Sequence, residues 1–176
     1  MRVEQNDHTP PPAIRFGTGR CSLGAVLVAS SERGICAILL GDEAAALERD
    51  LRTRFPDTPV REGGTELDRL ASRVGAFVDA PRLGLDAPLD VRGTVFQRQV
   101  WQALRDIPAG GTASYAEIAA RIGASASARA VAGACAANAL AVVIPCHRVV
   151  RRDGGLAGYR WGTERKRALL RREAEA

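Results

Sequence analysis

The sequence predicts an α/β amino-terminal unit followed by a mainly helical carboxy-terminal unit that contains a helix-turn-helix. Two β-rich runs, residues 22–29 and 34–40, flank the turn-forming Ser30-Ser31-Glu32-Arg33 and are followed by two amphipathic helical patterns. Beyond residue 90 two capping boxes and a glycine turn organise a run of helices instead. The change of pattern places a boundary near residue 91, dividing residues 1–90 from 91–176.

In chain order, MRVEQNDHTPPP is polar and proline-rich and reads as a flexible lead, and the two β runs then form a hairpin. Asp42 opens a helix with Ala44, Leu47 and Leu51 on one face, and Phe55-Pro56 ends it because proline cannot continue the hydrogen-bond ladder. A second helix spans residues 66–78 with Leu67, Leu70, Val74 and Phe77 inward, and the proline-broken stretch 83–90 reads as an extended connection. Thr94 and Gln97 form a capping box for a helix reaching about Asp106, with Phe96, Val100, Ala103 and Leu104 as its apolar stripe. Ser114 and Glu117 form another, opening a helix with Tyr115, Ile118, Ala119 and Ile122 on one side. Gly123-Ala124 turns the chain into a helix over residues 125–137, SASARAVAGACAA, in which Ala and Gly occupy almost every face. Such a thin rod suits either tight helix packing or close approach to DNA. A final helix spans residues 163–174.

Composition narrows the function. With 46% hydrophobic and 26% charged residues the chain is globular, and its longest apolar run, residues 139–144, is far too short to span a membrane. The first dozen residues lack a signal-peptide core, so a cytoplasmic setting is expected. Cys21, Cys36, Cys135 and Cys146 include no C-x-x-C pair, which points to free thiols rather than disulfides or a zinc ribbon. Charge is unevenly distributed: 11 Arg against 14 acids give −3 over residues 1–90, while 14 Arg or Lys against 6 acids give +8 over residues 91–176. The second half is suited to a polyanionic partner, although a solvated basic face would look the same.

Cys146 and His147 stand together at the end of the apolar run. A free thiol, with a pKa of about 8.5, is only a few per cent thiolate at neutral pH, so a nucleophilic cysteine requires a base. In the last helix Glu173 shares the core-facing stripe of Leu169 and Leu170, and a buried carboxylate requires a partner. The only histidines are His8, in the lead, and His147. These residues therefore suggest a Cys146–His147–Glu173 relay, in which Glu173 orients the imidazole that takes the thiol proton. A non-catalytic helix-turn-helix module and a Cys-His hydrolase share parts of this pattern; nothing beyond the relay suggests an oxyanion hole.

The stretch Ile144-Pro145-Cys146-His147-Arg148-Val149 resembles the acceptor motif of the O6-alkylguanine-DNA alkyltransferases. Arg129-Ala130-Val131, Asn138 and Gly158-Tyr159-Arg160-Trp161-Gly162 are similar to the rest of that signature. The resemblance is closest to the methyltransferase half of the Ada branch and extends to residues 31–42 and 171–175. It implies a ribonuclease H-like amino-terminal domain with a small antiparallel sheet, and a winged-helix-like carboxy-terminal domain. It also implies transfer of an alkyl group from O6 of guanine, less readily O4 of thymine, in duplex DNA to Cys146, by a monomer without cofactor or metal. On this resemblance His147 is the base acting through a bridging water, with Glu173 behind it, and Tyr115 stabilises the guanine leaving group. Arg129 enters the base stack vacated by the rotated nucleotide, and Ser114, Tyr115 and Ala130 belong to the DNA-contacting surface. Asn138 braces the turn before the acceptor, while Val149, Tyr159 and Arg160 belong to the substrate pocket. Arg160 follows the Ada-like pattern where some relatives have serine, which bears on the size of alkyl group accepted. The missing Ada regulatory modules suggest a stand-alone protein, a split-gene product or a fragment. The product would be S-methylcysteine, an unactivated thioether that water does not hydrolyse, so each molecule is expected to react once.

Overall fold

The computed structural model describes residues 12–123, 127–156 and 158–176; the expected lead over residues 1–11, and residues 124–126 of the expected turn and helix start, lie outside them. The amino-terminal layer is a four-stranded sheet ordered β3-β2-β1-β4. Its strands β1 (Ile14–Cys21), β2 (Gly24–Ser31) and β3 (Gly34–Gly41) form an antiparallel meander, and β4 (Val60–Glu62) lies parallel to β1. The expected hairpin is therefore present, but the sheet is mixed rather than purely antiparallel. The reason is topological: α1 (Ala44–Arg54) carries the chain from one edge of the sheet to the other, so β4 enters alongside β1 in the same direction. Strand β1 has two glycines, two arginines and no apolar run, and β4 has three residues, so neither gave a readable period.

Of the expected faces, Leu47 and Leu51 of α1 and Leu67 and Val74 of α2 (Gly64–Asp79) are buried, whereas Ala44 is exposed and Leu70 and Phe77 are half-buried. Ala71 and Val78 complete the buried face of α2, which is turned slightly from the expected one. Helix α1 begins at Ala44 after an extended Glu43, not at Asp42. Helix α2 crosses β1 at Gly17, where an added Cβ would lie 2.3 Å from the Leu67 backbone. Only glycine permits that approach.

In the carboxy-terminal layer both capping boxes form as expected, opening α3 (Val95–Arg105) and α4 (Tyr115–Ile122). Helix α5 spans Ala128–Ala136, three residues shorter at its start than expected, because Ser127 is extended and caps it by accepting from the Ala130 N–H at 3.0 Å. The Trp101 indole N–H of α3 donates to the Ala134 carbonyl of α5 at 2.9 Å and holds the thin helix against its neighbour. Strands β5 (Ala113–Ser114) and β6 (Val149–Val150) form a small parallel pair, and α6 (Thr163–Glu175) closes the chain.

The two layers share one hydrophobic core. The stretch 83–90 is not a free linker: Ile35 of β3 donates to the Pro88 carbonyl and accepts from the Asp90 N–H, at 2.9 and 2.8 Å. Farther along the same strand, Ile38 donates to the Ala139 carbonyl and accepts from the Ala141 N–H, at 2.8 and 3.0 Å. The apolar run before Cys146 is thus held on the edge of the amino-terminal sheet. Among the described residues, no helix is long and apolar enough to cross a membrane.

Two glycines should respond oppositely to alanine. Gly17→Ala should lower stability by about 1–3 kcal/mol by forcing α2 off the sheet. Gly133→Ala, where an added Cβ on α5 meets nothing within 4 Å, should raise it by up to about 1 kcal/mol. Urea midpoints of the two variants check both signs.

Candidate active site

The sulfur of Cys146 is positioned by Asn138, which is fully buried just beyond α5. The Asn138 carbonyl oxygen accepts from the Leu140 N–H at 2.9 Å, and its amide nitrogen donates to the Ile144 carbonyl at 3.0 Å and to the Cys146 sulfur at 3.3 Å. One side chain thereby ties both ends of the turn to the thiol. Within that turn Val142 adopts φ 69°, a conformation unfavourable for a β-branched residue and held by the surrounding bonds. Cys146 then begins a 3-10 turn, Cys146–Arg148, with 5% of its surface exposed.

Behind the thiol, His147 and Glu173 are joined at 2.8 Å between Nε2 and Oε1, with the imidazole fully buried. An ionised carboxylate only accepts hydrogen bonds, so Nε2 carries the proton. Nδ1 is then the basic nitrogen, and among the described residues it is buried without a hydrogen-bond partner. Arg148 completes the arrangement: its Nε donates to Glu173 Oε2 at 2.9 Å, Nη2 to Oε1 at 2.8 Å, and Nη1 to the Ile107 carbonyl at 2.6 Å. Burial would raise the Glu173 pKa, but the bonds from His147 and Arg148 outweigh it and hold it at about 2. Burial also lowers the His147 pKa, against the pull of Glu173, and so keeps the imidazole neutral and able to accept a proton. The Cys146 thiol is pushed up to about 11 by burial, despite the Asn138 bond and the charge of Lys166, so it rests protonated.

Cys146 opens into a cavity of about 400 Å³, which it shares with Tyr115, Ala132, Cys135, Ala136, Gly158, Tyr159 and Arg160. Burial lifts the Tyr115 pKa to about 12 and that of Tyr159 well above the ordinary phenol value, so both hydroxyls stay protonated. The Tyr159 hydroxyl is buried and unpartnered among the described residues, while its ring meets the edge of Trp161 at a centroid distance of 5.3 Å. Arg129 and Ala130 are not in the cavity; they are exposed in the first turn of α5. Ser114 caps α4, accepting from the Glu117 N–H at 3.1 Å. Val149 is buried, and its carbonyl accepts from Lys166 Nζ at 2.6 Å. Among the described residues no cluster of three or more His, Cys, Asp or Glu could hold a metal.

Sequence reasoning missed Arg148 as a partner of Glu173, Cys135 as a second thiol in the cavity, and the fully buried Lys166. Lys166 could have been found, because it precedes Leu169 and Glu173 at helical spacing on the same core-facing stripe.

Known proteins are similar to this chain over most of its length. The family model described as "6-O-methylguanine DNA methyltransferase, DNA binding domain" matches residues 95–175. The inducible methylated-DNA–protein-cysteine methyltransferase of Bacillus subtilis is 36% identical over 152 residues, covering 85% of this chain and 84% of that protein. The chain belongs to the methylated-DNA–protein-cysteine methyltransferases. Within this family it is 54% identical over 163 residues to the bifunctional transcriptional activator/DNA repair enzyme Ada of Escherichia coli, covering 93% of this chain and 46% of Ada. It therefore spans about half the length of that relative. A methyltransferase-family structure, Mycobacterium tuberculosis OGT in complex with DNA, superimposes with a TM-score of 0.74 at 36% identity, covering 92% of this chain and 93% of OGT.

The carboxylate at the centre of the site has a measurable signature. A group whose pKa is depressed by folding stabilises the protein above its unfolded pKa and loses that contribution as pH falls through the folded value. Native stability should therefore decline between about pH 4.5 and 2 as Glu173 protonates. Glu173→Gln should cost about 3–5 kcal/mol at pH 7 by leaving Arg148 unpaired, with the gap to the native protein narrowing across that window. Urea unfolding from pH 7 to 2 measures both.

Proposed function

We propose that this protein repairs duplex DNA by transferring the alkyl group of O6-alkylguanine, and less readily that of O4-methylthymine, to its own Cys146. The observation that carries the reading is the cavity onto which Cys146 opens, with two protonated tyrosines at its wall and a neutral imidazole behind the thiol. The thiol proton passes to His147 Nδ1 through one water, because no direct hydrogen bond joins the two side chains among the described residues. Glu173, itself held by the Arg148 fork, orients the imidazole, and its carboxylate stabilises the positive charge the ring gains. The thiolate forms a bond to the alkyl carbon as that carbon's bond to O6 breaks, and the electron pair leaves with the guanine. Tyr115 donates a hydrogen bond to the departing base. The thioether that results has no electrophilic carbonyl, so the reaction ends after one turnover.

An alkyl group inside a base pair cannot reach a sulfur that is 5% exposed, so the nucleotide is rotated out of the helix. Exposed Arg129 fills the gap it leaves. Apart from Arg129, helix α5 exposes only small side chains around Ala130 and Gly133, and it enters the narrow minor groove, with Ser114 and the basic carboxy-terminal surface near the phosphates. Residues 91–176 are the DNA-binding and acceptor unit and residues 1–90 its support; we read them as winged-helix-like and ribonuclease H-like. The four free thiols suit the reducing cytoplasm, and the reaction needs one copy of the chain, no cofactor and no metal.

Incubation with a duplex carrying one O6-methylguanine should add one methyl group to the Cys146 peptide and stop at equimolar product. Unchanged mass with intact DNA binding would instead indicate a non-catalytic module. Arg129→Ala should slow repair of duplex by at least about tenfold, equivalent to ~1.4 kcal/mol, while sparing reaction with the free alkylated base. Equal losses on both substrates would remove the flipping role. Duplex affinity should fall as salt rises, as measured by fluorescence anisotropy.

A further inference from the structure

The cavity has one wall that is not held by core packing. Ala132, Ala136 and Gly158 are small, Cys135 and Cys146 are buried, and Tyr115 and Tyr159 pack against the core, Tyr159 also against Trp161. Arg160 differs: its side chain is 33% exposed and is held by two polar contacts. Nη1 donates to the Ala136 carbonyl at the end of α5 at 3.0 Å, and Nη2 donates to Asp50 Oδ1 on α1 at 3.2 Å. Asp50 lies 110 residues earlier, in the amino-terminal layer, and is not among the residues lining the cavity. Its other oxygen accepts from Arg54 Nε at 3.4 Å, so the carboxylate is held on α1 while it grips Arg160.

We propose that Asp50 is a positioning residue that sets which O6-alkyl groups the site accepts, by holding the Arg160 guanidinium across the cavity mouth. The inference rests on the alkyl-transfer reading of the same site. The cavity of about 400 Å³ must hold the base together with its substituent. A methyl group adds little to the base, whereas an arylmethyl group needs further room at the one wall that polar contacts alone keep closed. Without Asp50 the guanidinium keeps a single hydrogen bond, to Ala136, and its long, partly exposed side chain can swing into solvent. A partly exposed ion pair contributes little to stability. Its effect here is to restrict one side chain to one geometry.

The test compares second-order rate constants for alkylation of Cys146 by otherwise identical duplexes carrying O6-methylguanine or O6-benzylguanine, in the intact protein and its variants. Asp50→Ala and Arg160→Ala should each raise the benzyl-to-methyl rate ratio by about tenfold, and the double variant should raise it no further. Asp50→Glu, which retains the charge, should stay close to the native ratio. General loosening of the fold would lower both rates together and leave the ratio unmoved. An unchanged ratio in Asp50→Ala, or effects that multiply in the double variant, would overturn the proposal. No methyl transfer in the native protein would overturn the alkyl-transfer reading itself, and this inference with it.

Discussion

A carboxylate buried in the core must be paired, and most of the site is organised around meeting that requirement for Glu173. The group is 5% exposed, and both of its oxygens are occupied, one by the His147 imidazole and both by the Arg148 fork. Removing any one partner leaves a charge or an imidazole in a poor medium without compensation. The same pairing sets the tautomer of His147, because a carboxylate can only accept. It thereby leaves the basic nitrogen of the ring free for chemistry. Structure and reactivity are in this case consequences of one electrostatic demand.

Burial acts on the thiol in the opposite direction. It pushes the Cys146 pKa up to about 11, so the resting sulfur is protected as a thiol and is poorly reactive toward adventitious electrophiles. In the proposed reaction the nucleophile is made only when a proton acceptor, a substrate and the cavity coincide. For the proposed single-turnover reaction, a sulfur that stays protonated until substrate arrives is an advantage. Asn138 provides the geometric half of this control by bonding both the turn and the sulfur.

No described residue of the amino-terminal layer lines the cavity, yet the layer positions the residues that do. Strand β3 carries the run before Cys146 on its edge, Asp42 and the Leu23 carbonyl hold Arg165 of α6, and Asp50 holds Arg160. Arg172 of α6 likewise reaches Asp79 and Ser22. The cavity and the proposed DNA-facing residues are concentrated in one layer, and their alignment is maintained by the other.

The features legible in the sequence were those decided over a few residues. The capping boxes of Thr94 with Gln97 and Ser114 with Glu117 need only residues three apart, and both formed. The Glu173 partnership was also accessible, because a carboxylate on an apolar helical stripe and only two histidines leave few ways to satisfy a buried charge. Strands β1 and β4, the pairing of residues 88–90 and 139–141 with β3, and the contact between Arg160 and Asp50 were not accessible. Arg148 meets Glu173 across 25 residues and Asp50 meets Arg160 across 110, and no local period records either distance. Local hydrogen bonding and hydrophobic period are properties of the chain itself, so the sequence alone determined the helices and the pairing of His147 with Glu173. Contacts between distant segments exist only once the two layers share a core, so the tertiary structure alone decided which guanidinium, amide and carboxylate surround the sulfur.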